Sequence, residues 1–132
     1  PVVLHDLTLD ATTDVKDVFP GRNRANGQFY VIDFTLEELK KLHVHERSNR
    51  AGTRSKYPAR FPLKSALFQI VTLQEEIELI QGLNRSTGRN AELFVEIKDP
   101  EWHHAEGKDL AAEVLKVLGK YGYKSAEDKI YV

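Results

Sequence analysis

Apolar positions along this 132-residue chain change rhythm several times, and each rhythm predicts an element. "VVLHD" at residues 2–6 reads as a strand that delivers an imidazole to its end. "LTLDATTDVKDVFPGRNRANGQ" follows as loop, punctuated by Gly, Pro, Asn and Asp, and "FYVID" at 29–33 as a short strand or extended segment. A helix start is marked at "FTLEELKKL": Thr35 caps, Glu38 completes a capping box, and Phe34 with Leu39 forms a hydrophobic staple. Leu36, Leu39 and Leu42 fall on one face of that short helix. "TLQEEIELIQG" repeats the box with Thr72 and Glu75, spaces Leu73, Ile77 and Ile80 for a buried face, and offers Gly82 as a stop. In "AELFVEIKDP" the period of two puts Leu93, Val95 and Ile97 on one side, with Phe94, Glu96 and Lys98 on the other. "GKDLAAEVLKVLGKYGY" gives a third helix with Leu110, Val114, Val117, Leu118 and Tyr121 inward, and "KIYV" begins a last strand.

Strand, loop and helices, strand, helix, strand is the order of an α/β fold with parallel strands and right-handed crossovers. Such sheets are covered on both faces or closed into a barrel, and this chain supplies few strands for either. The expectation is an excerpt from a larger sheet or barrel, with partners of both terminal strands missing. Residues 47–64, "RSNRAGTRSKYPARFPLK", interrupt the order with Arg47, Arg50, Arg54, Lys56, Arg60 and Lys64 and no acidic residue. They read as an insertion-like basic segment, spanning about residues 43–68, within one partial domain over 1–132.

Composition narrows the function classes. Apolar residues make up 41% and charged residues 30%, the balance of a globular rather than a disordered or membrane-spanning chain. No apolar run has the length of a transmembrane helix. A net charge of -1 gives no whole-molecule attraction to nucleic acid or anionic lipid, so any anion binding is local. The absence of cysteine removes disulfides, thiolate metal sites and thiol nucleophiles together. Nothing resembles a signal peptide, which leaves room for a leader removed along with whatever preceded Pro1.

His5 is a candidate acid or base, since imidazole titrates near neutrality and strand ends are where barrels and open sheets place catalytic groups. The bland reading, a histidine closing a strand, stands beside it. Glu96 and Lys98 share a face of a strand expected to be central, hence covered, so the carboxylate needs the lysine or a metal ion. A histidine, a lysine and a carboxylate with a hard cation suit phosphoester chemistry. His103 and His104 directly follow that strand and are candidate substrate contacts. His43 and His45 match no strong zinc spacing and read as surface residues near a helix end. The basic segment has little aromatic interleaving for nucleic acid, and "NRS" at 84–86 is a glycosylation-type triplet that arises often by chance.

Taken together, "PVVLHDLTLDATTDV", "IDFTLEELKKL", "FPLKSALFQIVTLQEEIELIQGLNRSTGRN" and "LFVEIKDPEWHHAEGKDLAAEVLKVLGKYGY" resemble the glycerophosphodiester phosphodiesterase family, in its bacterial periplasmic-type branch. The resemblance implies part of a (β/α)8 TIM-type barrel with a loop-rich insertion. It further implies hydrolysis of small-molecule glycerophosphodiesters to glycerol 3-phosphate and an alcohol, with a divalent cation, calcium or magnesium, and a periplasmic or extracellular location. The family's second catalytic histidine falls on His5, its late metal-binding glutamate on Glu96 and its substrate-facing lysine on Lys98. The family's HRG-type motif and early Glu-x-Asp pair belong upstream of "VVLHD". "EIKDPEW" departs from the "EIKAPWF" type, adding Asp99 and Glu101. The expectation is that the chain alone binds metal weakly and hydrolyses little, with pairing to missing strands or a homo-oligomer as ways to complete it. The competing reading is a non-catalytic module that holds anionic partners through the basic segment, and a histidine-based zinc protein is a third.

Overall fold

A computed structural model describes residues 1–49, 53–57, 60, 67–125 and 127–132. They fall into two compact units, one formed by Pro1–Val3 with Val71–Val132 and the other by Leu4–Ile70.

The longer-helix unit is α/β. Its helix α3 (Leu73–Thr87) starts at the expected capping box, Thr72 accepting from the Glu75 amide and the Glu75 carboxylate accepting from the Thr72 amide. The opening residues pair here rather than form a strand of their own. The Val3 amide donates to the Val71 carbonyl at 2.8 Å and the Leu73 amide to the Pro1 carbonyl at 3.1 Å. Strand β3 (Leu93–Phe94), helices α4 (Pro100–Ala105) and α5 (Leu110–Lys120), and strand β4 (Ile130–Tyr131) then follow, with β3 and β4 parallel and Leu93 opposite Ile130. This is a strand–helix–strand unit of the expected kind. Leu73, Ile77, Leu93, Val114 and Leu118 form its core, with Ile80, Val95, Ile97, Leu110, Val117 and Tyr121 packed around them. That is the inner set the periodicity picks out.

Two expectations for this unit fail. Gly82 does not stop α3, which runs on to Thr87 and ends at Gly88, in the left-handed conformation at φ 66°. Beyond it, the Asn84 amide donates to the Ala91 carbonyl at 2.9 Å and accepts from the Ala91 amide at 2.8 Å, latching the helix end to the approach of β3. The second face of β3 is not covered either. Phe94 is 82% exposed and stacks on Tyr131 of β4.

In the other unit, α1 (Val15–Val18) forms inside the stretch expected to be loop, and α2 (Leu36–Leu39) sits on the Thr35–Glu38 capping box. Leu39 and Leu42 are buried as expected, but Leu36, at the first helical position, is exposed. "FYVID" is a single bridge, Tyr30 to Thr8, running into a 3₁₀ turn at Val31–Asp33. Antiparallel β1 (His43–Val44) and β2 (Phe68–Gln69) bracket the basic segment. Arg50, Lys64 and residues 51–52, 58–59, 61–63 and 65–66 of that segment lie outside the described residues. Leu9, Val15, Phe29, Phe34, Leu39, Leu42 and Ile70 are buried. Among the described residues the strands make two two-stranded sheets, and no helix is long and apolar enough to cross a membrane.

Candidate functional site

His5 lies in a bend rather than at a strand end, just past the residues that pair with the start of α3. Its side chain is 69% exposed and its Nδ1 is 2.8 Å from Oδ1 of Asp6. The other carboxylate oxygen of Asp6 accepts from Nη1 of Arg47 at 2.6 Å. The Arg47 hydrogen bond, reinforced by His5 and opposed by partial burial, lowers the Asp6 carboxyl to about 2. Arg47 is raised in turn, chiefly by the same bond. An ionised carboxylate only accepts, so the proton of this contact sits on Nδ1.

Glu96, Lys98, His103 and His104 belong to the other unit. The Lys98 ammonium donates to Glu96 Oε1 at 2.7 Å, so the carboxylate has taken the lysine as its partner. The expected covered site is open: the Glu96 side chain is 60% exposed and that of Lys98 32%. Immediately afterwards Asp99 adopts φ 48°, which a short polar side chain tolerates better than most, and Pro100 then starts α4. This reversal places Trp102 and His103 edge to face, 5.0 Å between rings. Burial lowers the His103 imidazole from its ordinary value, partly offset by the charge of Asp99. His104 is exposed.

The remaining histidines have local work. His43 lies in β1, where Asp14 accepts both its backbone amide at 2.8 Å and its Nδ1 at 2.9 Å, and His45 Nδ1 meets the Glu46 carbonyl at 2.7 Å. Within the basic segment Arg47 is paired with Asp6, Arg60 with Glu46 at 3.2 Å, and Lys56 lies over the Tyr57 ring. Sequence reasoning put Arg47 among possible anion binders and missed its engagement with Asp6, for which nothing local in the sequence is a signal.

Across its whole length, residues 1–132, the chain matches the model of the glycerophosphoryl diester phosphodiesterase family. It belongs to that family. It is 49% identical over 133 residues to a glycerophosphodiester phosphodiesterase of Haemophilus influenzae, covering 99% of this chain and 36% of that protein. The corresponding enzyme of Treponema pallidum is 46% identical, with 99% of this chain and 37% of that protein covered. A glycerophosphodiester phosphodiesterase of Arabidopsis thaliana is 34% identical over 92% of this chain and 33% of its own length. The chain thus spans about a third of the curated relatives it matches.

A divalent cation is the group that the family resemblance brings to mind for such a site. Among the described residues no three of His, Asp and Glu stand close enough together to hold a metal ion. Calcium takes about six to eight oxygens, and Glu96 offers one carboxylate already bonded to Lys98. The donor set on this glycerophosphoryl diester phosphodiesterase segment therefore does not fit a cation by itself.

Proposed function

We propose that the protein hydrolyses glycerophosphodiesters to glycerol 3-phosphate and an alcohol, on a (β/α)8 barrel of which the parallel β3–α4–α5–β4 unit is one part. The observation that carries this reading is the His5–Asp6 pair, held by Arg47 in a chain that matches the family from end to end. His5 acts as general acid in its imidazolium form, Nδ1–H held by Asp6. Nε2 gives its proton to the departing alcohol oxygen as the bond from phosphorus to that oxygen breaks, and the water that takes its place on phosphorus releases a proton that restores the imidazolium. Lys98 supplies positive charge to a phosphoryl oxygen once released from Glu96, and His103 and His104 are further candidate substrate contacts. Glu96 would offer one oxygen to a divalent cation, which would supply positive charge to the phosphoryl oxygens.

Release of glycerol 3-phosphate from glycerophosphocholine, with and without chelator, tests the proposal in the protein expressed at its natural length. His5→Ala is expected to lower turnover by about 10²–10⁴-fold, the usual worth of a positioned acid. Full turnover by His5→Ala would overturn the assignment of His5, and no turnover by the unaltered protein would leave a scaffold that binds anions without cleaving them.

A further inference from the structure

We infer that Arg47 is a positioning residue for His5, holding the Asp6 carboxylate in the orientation that fixes the imidazole. The inference rests on the hydrolytic reading of His5. His5 and Asp6 are sequence neighbours in an exposed bend, and a solvent-facing ion pair of that kind holds its geometry weakly on its own. Asp6 has two oxygens, and one meets His5 Nδ1 at 2.8 Å while the other meets Arg47 Nη1 at 2.6 Å. Rotation of the carboxylate toward solvent would break both contacts together.

Arg47 is suited to be the fixed end of this line because its backbone is held on several sides. The Lys56 amide donates to the Arg47 carbonyl at 2.7 Å, and the Arg47 amide donates to Glu46 Oε1 at 3.0 Å. The residues flanking it are tied to the loop before α1, His45 N to Thr12 O at 2.9 Å and Ser48 N to Ala11 O at 2.8 Å. A guanidinium also stays charged at any working pH, so the hold on Asp6 does not lapse as the imidazole cycles between its forms. With Asp6 fixed, the Nδ1 proton has one acceptor and Nε2 one orientation, as in other sites where a carboxylate sets a histidine tautomer. In this role Arg47 acts through Asp6, to which its guanidinium is bonded.

Two measurements on the protein at its natural length test this: kcat and KM for glycerophosphocholine, and the ¹⁵N shifts of the His5 ring. Arg47→Ala is expected to lower kcat by about 10- to 100-fold, the scale of losing an outer partner of a functional histidine. KM should stay within about twofold, since only uniform substrate binding would move KM alone. The His5 ring should pass from the Nδ1–H form to a mixture with Nε2–H, and Arg47→Lys should restore most of both properties. Arg47→Met, which keeps the stem and loses the charge, repeats the test if the alanine variant does not fold. An unchanged kcat and ring spectrum beside an inactive His5→Ala would overturn the role of Arg47 alone, as would a rise in KM at constant kcat. A fully active His5→Ala would instead remove the catalytic role of His5 on which the inference rests.

Discussion

Asp6 shows how a guanidinium and an imidazole on one carboxylate turn a surface residue into a fixed one. Its carboxyl is lowered to about 2, Arg47 contributing most, and Glu38 is likewise lowered to about 2 by Arg22 and the Thr35 amide. An unfolded aspartate titrates at about 3.9, so the Asp6 contribution to stability is complete above that value and is lost as pH falls through its folded value. Urea midpoints of the parent and Asp6→Asn should therefore differ most near neutrality and draw together from about pH 4 down to 2. A gap that stays constant with pH would mean that the ionised form is not the one held. Arg22 and Arg24 use the same device in the loop before α2, where Arg24 is bonded twice to Asp33 at 2.8 Å and lies 4.4 Å from the Tyr30 ring centre. These pairings were not legible in the sequence, because a charge does not name its partner when the partner is 9, 16 or 41 positions away.

At the level of elements, the helices were legible wherever the signal is local. Both capping boxes form as the residues predict, since Thr35 and Glu38, or Thr72 and Glu75, need only three residues of helix to meet. Gly82 misled because a glycine's meaning depends on its backbone angle, which spacing does not reveal. Gly82 lies inside α3 with open space where a Cβ would stand, whereas Gly88 holds φ 66° at the helix end. Gly82→Ala is expected to stabilise the protein by about 0.5–1 kcal/mol, through lower unfolded-state entropy and better helix propensity. Gly88→Ala should destabilise it by about 1 kcal/mol, the cost of a Cβ in the left-handed region. Thermal denaturation of the two variants checks the opposite signs. Strands were less legible: β1 and β2 hold two residues each, too few for any period to show.

For the molecule as a whole, the order of elements foretold the parallel pairing of β3 with β4, and the inner stripe of α5 foretold the core they share. Exposure was not foretold. Alternation in "LFVEIK" says which side chains share a face, but whether that face is covered depends on what packs there, so Glu96 came out exposed and bonded to Lys98. The pairing of β3 and β4 also has a consequence in time. Both helices α4 and α5 lie between the two strands, so the sheet closes a long loop, and such non-local contacts form late. Helix α3, by contrast, can nucleate within its own turns. In pulse-labelled refolding, the Leu93 and Val95 amides, which donate to Lys129 and Tyr131, should gain protection after the amides of α3. Until then Phe94 waits in water with its strand edge unpaired, and on the ribosome that interval lasts for as long as the two helices take to be synthesised.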